Sequence, residues 1–358
     1  MGTFNGERYV TEQLETVMGQ THTPDEIIVC DDGSTDGTLD RVERMRRSSA
    51  IPIRIVRNRR RLGFSDNFLN GASMAKSEYL AFCDQDDRWY PEKLETALRS
   101  MVRCDALLSA HAVDLIDDQG NMLTNHSQGI AETAVVEPLS ADPFANYFGF
   151  TLVFRRALLD VIPFSQRGES TYTIGASLSH DRWICLLAHS LGRVLLLDEP
   201  LAGYRQHNAQ LFGAQRRQGW TRGVSRAGAS QAIDKLRALQ REQEVLTRVC
   251  RHRSALFEQA QATSSFNRDQ LNRASDFWKG LADRHSLRVR AYRADALGTR
   301  VGALSAGLRL GIYSRTTLGY RSFAKDLAIC MLGRRVRLDD EFYAEGNQTP
   351  NESRRTVP

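Results

Sequence analysis

No apolar run among these 358 residues approaches the ~20 that a membrane-spanning helix requires. The opening MGTFNGERYV does not read as a signal peptide either, since it has no apolar core behind a basic start. Six cysteines (30, 83, 104, 185, 250 and 330) include no CxxC pair, which removes the usual zinc-ribbon and redox spacings. Cys30 and Cys83 close apolar runs, so these thiols read as reduced and mostly buried, an expectation that suits the cytoplasm. A Gly-rich, Lys-containing phosphate loop is also missing, which weighs against chemistry on a nucleoside triphosphate. What is present is ordinary globular composition, 41% hydrophobic and 25% charged.

The net charge of +5 hides an asymmetry. Residues 1–213 hold 21 basic and 29 acidic side chains, against 27 and 14 in residues 214–358. A domain boundary is therefore expected near 213, followed by a helical, Arg-rich region over 214–344 and a polar, disordered tail over 345–358. Two readings of the basic region stand. Its helices pack with Arg facing water, or its positive face rests on anionic lipid at the inner face of the cell membrane. Such charge also suits nucleic acid, but no recognition motif accompanies it, so no nucleic-acid partner is expected.

Ahead of that boundary, short apolar runs alternate with helical patterns. Strands are predicted at 26–30, 53–56, 79–83, 106–116 and 193–197, with helices at 7–19, 38–45, 66–75 and 91–104. This alternation predicts an α/β fold, a parallel sheet covered by helices on both faces. Phe4-Asn5-Gly6-Glu7 resembles the loop after a first strand, yet only Met1-Gly2-Thr3 precede it, too few to form that strand. A truncated start is the favoured reading, an unusually short strand the alternative.

The densest chemistry lies in CDQDD, Cys83 to Asp87, where a strand ends in three crowded carboxylates. Such acids repel and resist desolvation unless a cation joins them. Asp86 is the first choice of metal ligand, and Asp84 serves the metal or a ribose. Asp87 reads as an acid at the entry to the next helix, supporting the other two.

DDGSTDG, Asp31 to Gly37, follows another strand, and its acids can accept hydrogen bonds from a nucleoside. Plain helix capping is the bland alternative. An EF-hand reading of Asp32 to Glu43 fails because a β-rich run, not a helix, precedes it. In SHDRW, Ser179 to Trp183, Asp181 is either an N-terminal helix acid or the general base of a displacement. His180 is structural or faces an acceptor. Arg205 and His207 in DEPLAGYRQHNAQLFG either touch a diphosphate or belong to a surface loop.

Taken in order, FNGERYVTEQLETVMGQTHTPDEIIVCDDGSTDGT, GFSDNFLNGA, EYLAFCDQDDRWYPEKL, HDRW and LLLDEPLAGYRQHN resemble a family-2 glycosyltransferase of the GT-A fold. That fold is Rossmann-like, with a mostly parallel sheet and helices on both faces. The DQDDxW spelling is similar to the bacterial rhamnosyltransferase-like subgroup, which builds cell-surface polysaccharides. The resemblance implies a UDP- or dTDP-linked sugar donor, Mg2+ or Mn2+, and a glycan or lipid-linked acceptor.

By matched position it implies that Phe4 packs on the base, Asp32 binds base or ribose, and Asp84 and Asp86 form the DxD pair. Asp181 would be the base, Arg205 would reach the diphosphate, and Gly149 and Thr151 would shape the acceptor side with His180. The QxxRW of processive members is absent, which implies transfer of one sugar. A non-catalytic nucleotide-sugar-binding scaffold is the alternative if the first strand is lost.

Overall fold

The computed structural model describes residues 1–171, 176–207, 229–294, 296–309 and 319–332. The chain divides into two compact units, Met1–Thr221 with Arg251–Lys279, and Arg222–Cys250 with Gly280–Pro358. The charge asymmetry places a boundary near 213, and the first unit also takes in Arg251–Lys279.

The first unit opens with β1 (Gly2–Thr3), α1 (Val10–Met18), β2 (Ile27–Asp31), α2 (Thr38–Ser48) and β3 (Ile53–Arg57). It continues through α3 (Phe64–Ser73), β4 (Tyr79–Ala81), β5 (Arg88–Trp89) and α4 (Lys93–Cys104). β6 (Ala106–Ile116), β7 (Met122–His126), β8 (Ala134–Val136) and β9 (Val153–Arg155) follow, then α5 (His180–Leu191) and β10 (Arg193–Arg205).

The strands form two sheets. One is wholly parallel in the order β1-β2-β3. The other runs β4-β9-β6-β10-β5, with β7 on β6 and β8 on β10, and β6–β10 is its one parallel pairing among the described residues. The fold is α/β, as expected, but the second sheet is more antiparallel than the strand–helix alternation implied. Residues 122–155 fold back as short strands rather than crossing over through helices.

Burial explains which runs became strands. All five residues of β2 are buried, the pattern of a strand covered on both faces. β6 is buried over ten of its eleven positions, which makes it the spine of the larger sheet. β10 extends eight residues beyond the predicted Leu197. Its register with β6 shifts on either side of Pro200, as expected for a residue that cannot donate to the ladder.

Met1-Gly2-Thr3, read as too few for a strand, do pair. Gly2 lies opposite Cys30 and Thr3 opposite Asp31. Gly2 N also donates to Cys83 O at 3.2 Å, so this two-residue strand bridges the ends of β2 and β4. Next to it, a cavity of about 250 Å3 is lined by residues that include Ile27, Ile28, Tyr79 and Leu80.

Helical segments of the C-terminal region complete the first unit. Trp278 Nε1 donates to Ser190 Oγ at 3.0 Å, and the Arg253 guanidinium sits over the rings of Phe144 (5.1 Å) and Trp278 (4.6 Å). These contacts back the C-terminal half of α5.

The second unit is built from parts of α6 (Ala229–Gln259) and α7 (Arg268–Arg293) with α8 (Leu297–Arg309) and α9 (Gly319–Leu332). Its centre is a buried ion pair, Arg288 to both oxygens of Asp326 at 2.7 and 2.8 Å. Tyr292 donates to the same carboxylate, and Gln243 Oε1 accepts from Arg288 at 2.7 Å. Arg300 is buried as well and donates to Cys330 O at 2.9 Å. Part of the basic region's charge is therefore internal, spent on packing rather than on solvent. The predicted disordered tail, 345–358, lies outside the described residues. No helix among the described residues is long and apolar enough to cross a membrane.

Candidate active site

The acid turn starts where β4 runs out. Phe82 and Cys83 stay buried, and the chain then turns through Asp84-Gln85-Asp86-Asp87 into β5. Gln85 ties the turn to the tip of β1, accepting from Phe4 N at 2.9 Å and donating to Phe4 O at 3.0 Å. Asp86 Oδ2 meets His207 Nε2 at 2.9 Å. Asp87 points inward, 1% exposed, with Oδ1 accepting from Arg205 N at 3.1 Å. Its Oδ2 is buried without a partner.

Crowding shows in the acidities. Burial, then the charges of Asp86 and Asp181, push the Asp84 carboxyl up to about 7. Burial beside Asp86 and Asp84 holds Asp87 well above the usual carboxylate range. Beneath them lies Lys93 on α4, fully buried, its ammonium 4.0 Å from the Trp89 ring centre and donating to Phe150 O. Burial drives this lysine down to about 7, while Cys83, Asp87 and Asp84 oppose that shift.

Asp181 arrives from another element, in the first turn of α5. Ser179 Oγ and Arg182 N (2.8 Å) serve its Oδ1, and Asn146 Nδ2 donates to its Oδ2 at 3.3 Å. His180 beside it meets Phe82 at 4.8 Å, so the structure brings the start of α5 to the strand end that carries the acid turn, nearly a hundred residues earlier. One carboxylate is thus held by amide and hydroxyl donors opposite a turn of acids.

The other predicted residues divide. Gly149 and Thr151 form a buried 3-10 turn, with Thr151 Oγ1 donating to Phe148 O at 2.7 Å. A Cβ at Gly149 would lie 2.5 Å from His180 Nε2, so only glycine fits against that ring. His180 has the surroundings of the structural alternative. It is buried, stacked on Phe68 at 4.3 Å and met edge-on by Phe82 at 4.8 Å, and neither ring nitrogen has a partner. Burial lowers it to about 4, so it packs as a neutral aromatic.

Arg205 is 1% exposed, and its guanidinium donates to Asp86 O (2.8 Å), Asp118 O (3.0 Å) and Glu12 Oε2 (2.8 Å). These bonds clamp the acid turn, and the burial of Arg205 excludes the surface-loop alternative. Asp32 is nearly spent in the same way, accepting from Asn58 Nδ2 (3.0 Å), Leu62 N (2.6 Å) and Gly63 N (2.8 Å). It anchors the loop after β3. Phe4 carries the Arg61 guanidinium 3.9 Å above its ring.

Sequence reasoning missed Gln85, Asn146 and Lys93. Nothing in their local spelling marks them, because each acts through a partner more than thirty residues away.

Among the described residues no group of three His, Cys, Asp or Glu side chains could hold a metal ion by itself. Mg2+ and Mn2+ sites, however, often use one or two carboxylates and take their remaining oxygens from substrate phosphates. Asp84 and Asp86 fit that smaller donor set, and the weakened acidity of Asp84 and the orphaned Asp87 oxygen mark a turn where negative charge is poorly relieved.

Residues 1–162 match the profile of glycosyl transferase family 2. That match takes in under half of the chain, and through it the chain resembles the family. It is 29% identical over 213 residues to an uncharacterized glycosyltransferase of Nostoc sp., covering 58% of this chain and 63% of that protein. It is 33% identical over 106 residues to the dTDP-rhamnosyl transferase RfbG of Shigella flexneri, 28% of this chain and 37% of RfbG. Its fold is similar to that of S. aureus TarS 1–349 solved with UDP, at TM-score 0.50 and 17% identity, over 96% of this chain and 90% of that one.

Proposed function

We propose that this chain is a family 2 glycosyltransferase, inverting and metal-dependent, that moves one sugar from a UDP- or dTDP-sugar to a hydroxyl of a glycan or lipid-linked acceptor. The observation that carries this reading is that the start of α5, which bears Asp181, packs on the strand end that leads into the acid turn, His180 meeting Phe82 at 4.8 Å. A displacement needs that division, with a base at the nucleophile and positive charge at the leaving group.

In the proposed reaction Asp181 Oδ takes the proton of the acceptor hydroxyl as its oxygen attacks the anomeric carbon. The bond from that carbon to the diphosphate breaks on the opposite face, so configuration inverts. Asn146 and Ser179 fix the carboxylate of Asp181. Gln85 and Arg205 fix the turn that faces the diphosphate. A Mg2+ or Mn2+ held by Asp84 and Asp86 would supply Lewis-acid stabilisation of the departing diphosphate.

Rhamnose from dTDP-rhamnose is the donor that the DQDDRW spelling and the likeness to RfbG favour. Single transfer follows from YRQHN standing where processive relatives carry QxxRW. The reading is tested by incubating the full chain with Mg2+ or Mn2+ and a panel of UDP- and dTDP-sugars, following release of the nucleotide. Metal-dependent release from at least one donor is expected. A protein that binds UDP or dTDP yet releases none from any donor would be the non-catalytic scaffold instead.

A further inference from the structure

α8 and α9 each bury one apolar face and expose another. On α8, Ala303 and Leu304 pack into a cluster with Ala291, Tyr292 and Cys330, and Phe323 of α9 rests against it. Arg300 ties the two helices, donating to Cys330 O at 2.9 Å. Outside this packing, Leu297, Val301 and Leu308 recur along α8 at spacings of four and seven, which puts them on one helix face. They are 47–55% exposed. On α9, Leu327 and Met331 stand four apart and are 41% and 72% exposed.

Scattered apolar side chains on a surface call for no account. These are not scattered. Of ten large exposed hydrophobics among the described residues, five stand on these two helices of 13 and 14 residues. The exposed charges beside them have one sign. Those described on α8 and α9 are Arg309 and Lys325, while Arg300 and Asp326 are buried. Across the second unit, residues 222–250 and 280–358 hold 20 basic and 11 acidic side chains.

That surplus selects what covers the apolar faces. A second copy would set one positive surface against another, which like-charge repulsion opposes. An anionic lipid surface supplies both an apolar layer and negative headgroups. Arg facing water, the plainer reading of the region's charge, needs no apolar face beside it. We propose that the outer faces of α8 and α9 seat the second unit on an anionic lipid surface. Leu297, Val301, Leu308, Leu327 and Met331 enter the boundary between headgroups and acyl chains, and Arg309 and Lys325 meet the headgroup phosphates. No described helix is long and apolar enough to cross a membrane, so α8 and α9 lie along the surface. The inference goes beyond the glycosyltransferase reading and does not depend on it.

The test is co-sedimentation of the full chain, in about 0.1 M salt, with vesicles of phosphatidylcholine alone and of phosphatidylcholine with an equal part of phosphatidylglycerol. Partition onto the anionic vesicles should be at least about tenfold the stronger. Val301→Gln with Leu308→Gln on α8, and Leu327→Gln with Met331→Gln on α9, keep the charge and do not weaken helix propensity. Each pair should lower partition about tenfold. Arg309→Gln with Lys325→Gln should lower it by a similar factor and remove most of the preference for phosphatidylglycerol. This charge pair carries the test if an apolar pair fails to fold.

A wild type that stays in the supernatant, equal partition onto both vesicles, or undiminished partition in either folded apolar pair would overturn the proposal. So would a dimer in lipid-free sedimentation equilibrium that the apolar pairs dissociate, since the faces would then belong to a second copy. Nucleotide release from a soluble donor should be the same in the wild type and in every folded variant. A chain that sediments with anionic vesicles yet releases no nucleotide would support the lipid surface and sink the glycosyltransferase reading alone.

Discussion

Replacing Asp84 with Asn should stabilise the metal-free protein while impairing its activity. In the folded chain the Asp84 carboxyl is raised from 3.8 to about 7 by burial and by Asp86 and Asp181. A group whose folded pKa lies above its unfolded value favours folding fully only below pH ~3.8, and that contribution is lost as pH rises towards 7. Three pKa units correspond to about 4 kcal/mol at pH 8. Asp84 retains intermediate solvent exposure, so water offsets part of this and about 2 kcal/mol is the working figure.

Asn removes the titrating charge at nearly the same volume. The melting temperature of Asp84→Asn at pH 8 with chelator should therefore exceed the wild type's by roughly 4–8 °C. At pH 5 the gap should shrink to about 2 °C, because the wild-type carboxyl is then largely protonated. Adding Mn2+ and UDP should raise the wild type and leave the variant behind. Equal melting temperatures at pH 8, or a variant less stable at both pH values, would refute the claim that this turn stores unrelieved negative charge.

Other consequences are open to measurement. Arg205→Lys keeps the charge but cannot serve Asp86 O, Asp118 O and Glu12 together, so it should cost roughly 2 kcal/mol in urea denaturation and lower nucleotide turnover; wild-type values in both would remove its clamp role. Lys93→Met exchanges a buried ammonium for an apolar chain of similar size, and stability at pH 6 should change by less than about 1 kcal/mol or rise. A loss above about 3 kcal/mol would mean that its bond to Phe150 O outweighs its desolvation. In the second unit, Asp326→Asn leaves the Arg288 guanidinium buried against a neutral partner and should cost about 3–5 kcal/mol, a loss that Asp326→Asn with Arg288→Met should partly restore.

How much of this was legible in the sequence depended on distance along the chain. The ends of β2 and β4 and the start of α5 were readable because an apolar run stopping at acids is a local signal. CDQDD and SHDRW could be located, and Asp181 could be assigned as either cap or base. The partners of Arg205 and His180 were not readable. Arg205 ends a strand thirteen residues long, and its donors meet carbonyls about ninety and a hundred and twenty residues away. His180 fell beside Asp181 in the motif, yet one step along a helix turns a side chain to another face, here onto Phe68 and Phe82. The strands over 122–155 were missed because β8 and β9 are only three residues long and β7 is mostly exposed, so none shows a clear period.

The most direct test of the central claim is nucleotide release by wild type and Asp181→Asn side by side, with the donor that the wild type uses and with the affinity of each protein for UDP or dTDP. The account predicts that Asp181→Asn loses at least about a thousandfold in turnover, while its nucleotide affinity stays within about threefold of wild type. Near-normal turnover by Asp181→Asn, with binding intact, would contradict it.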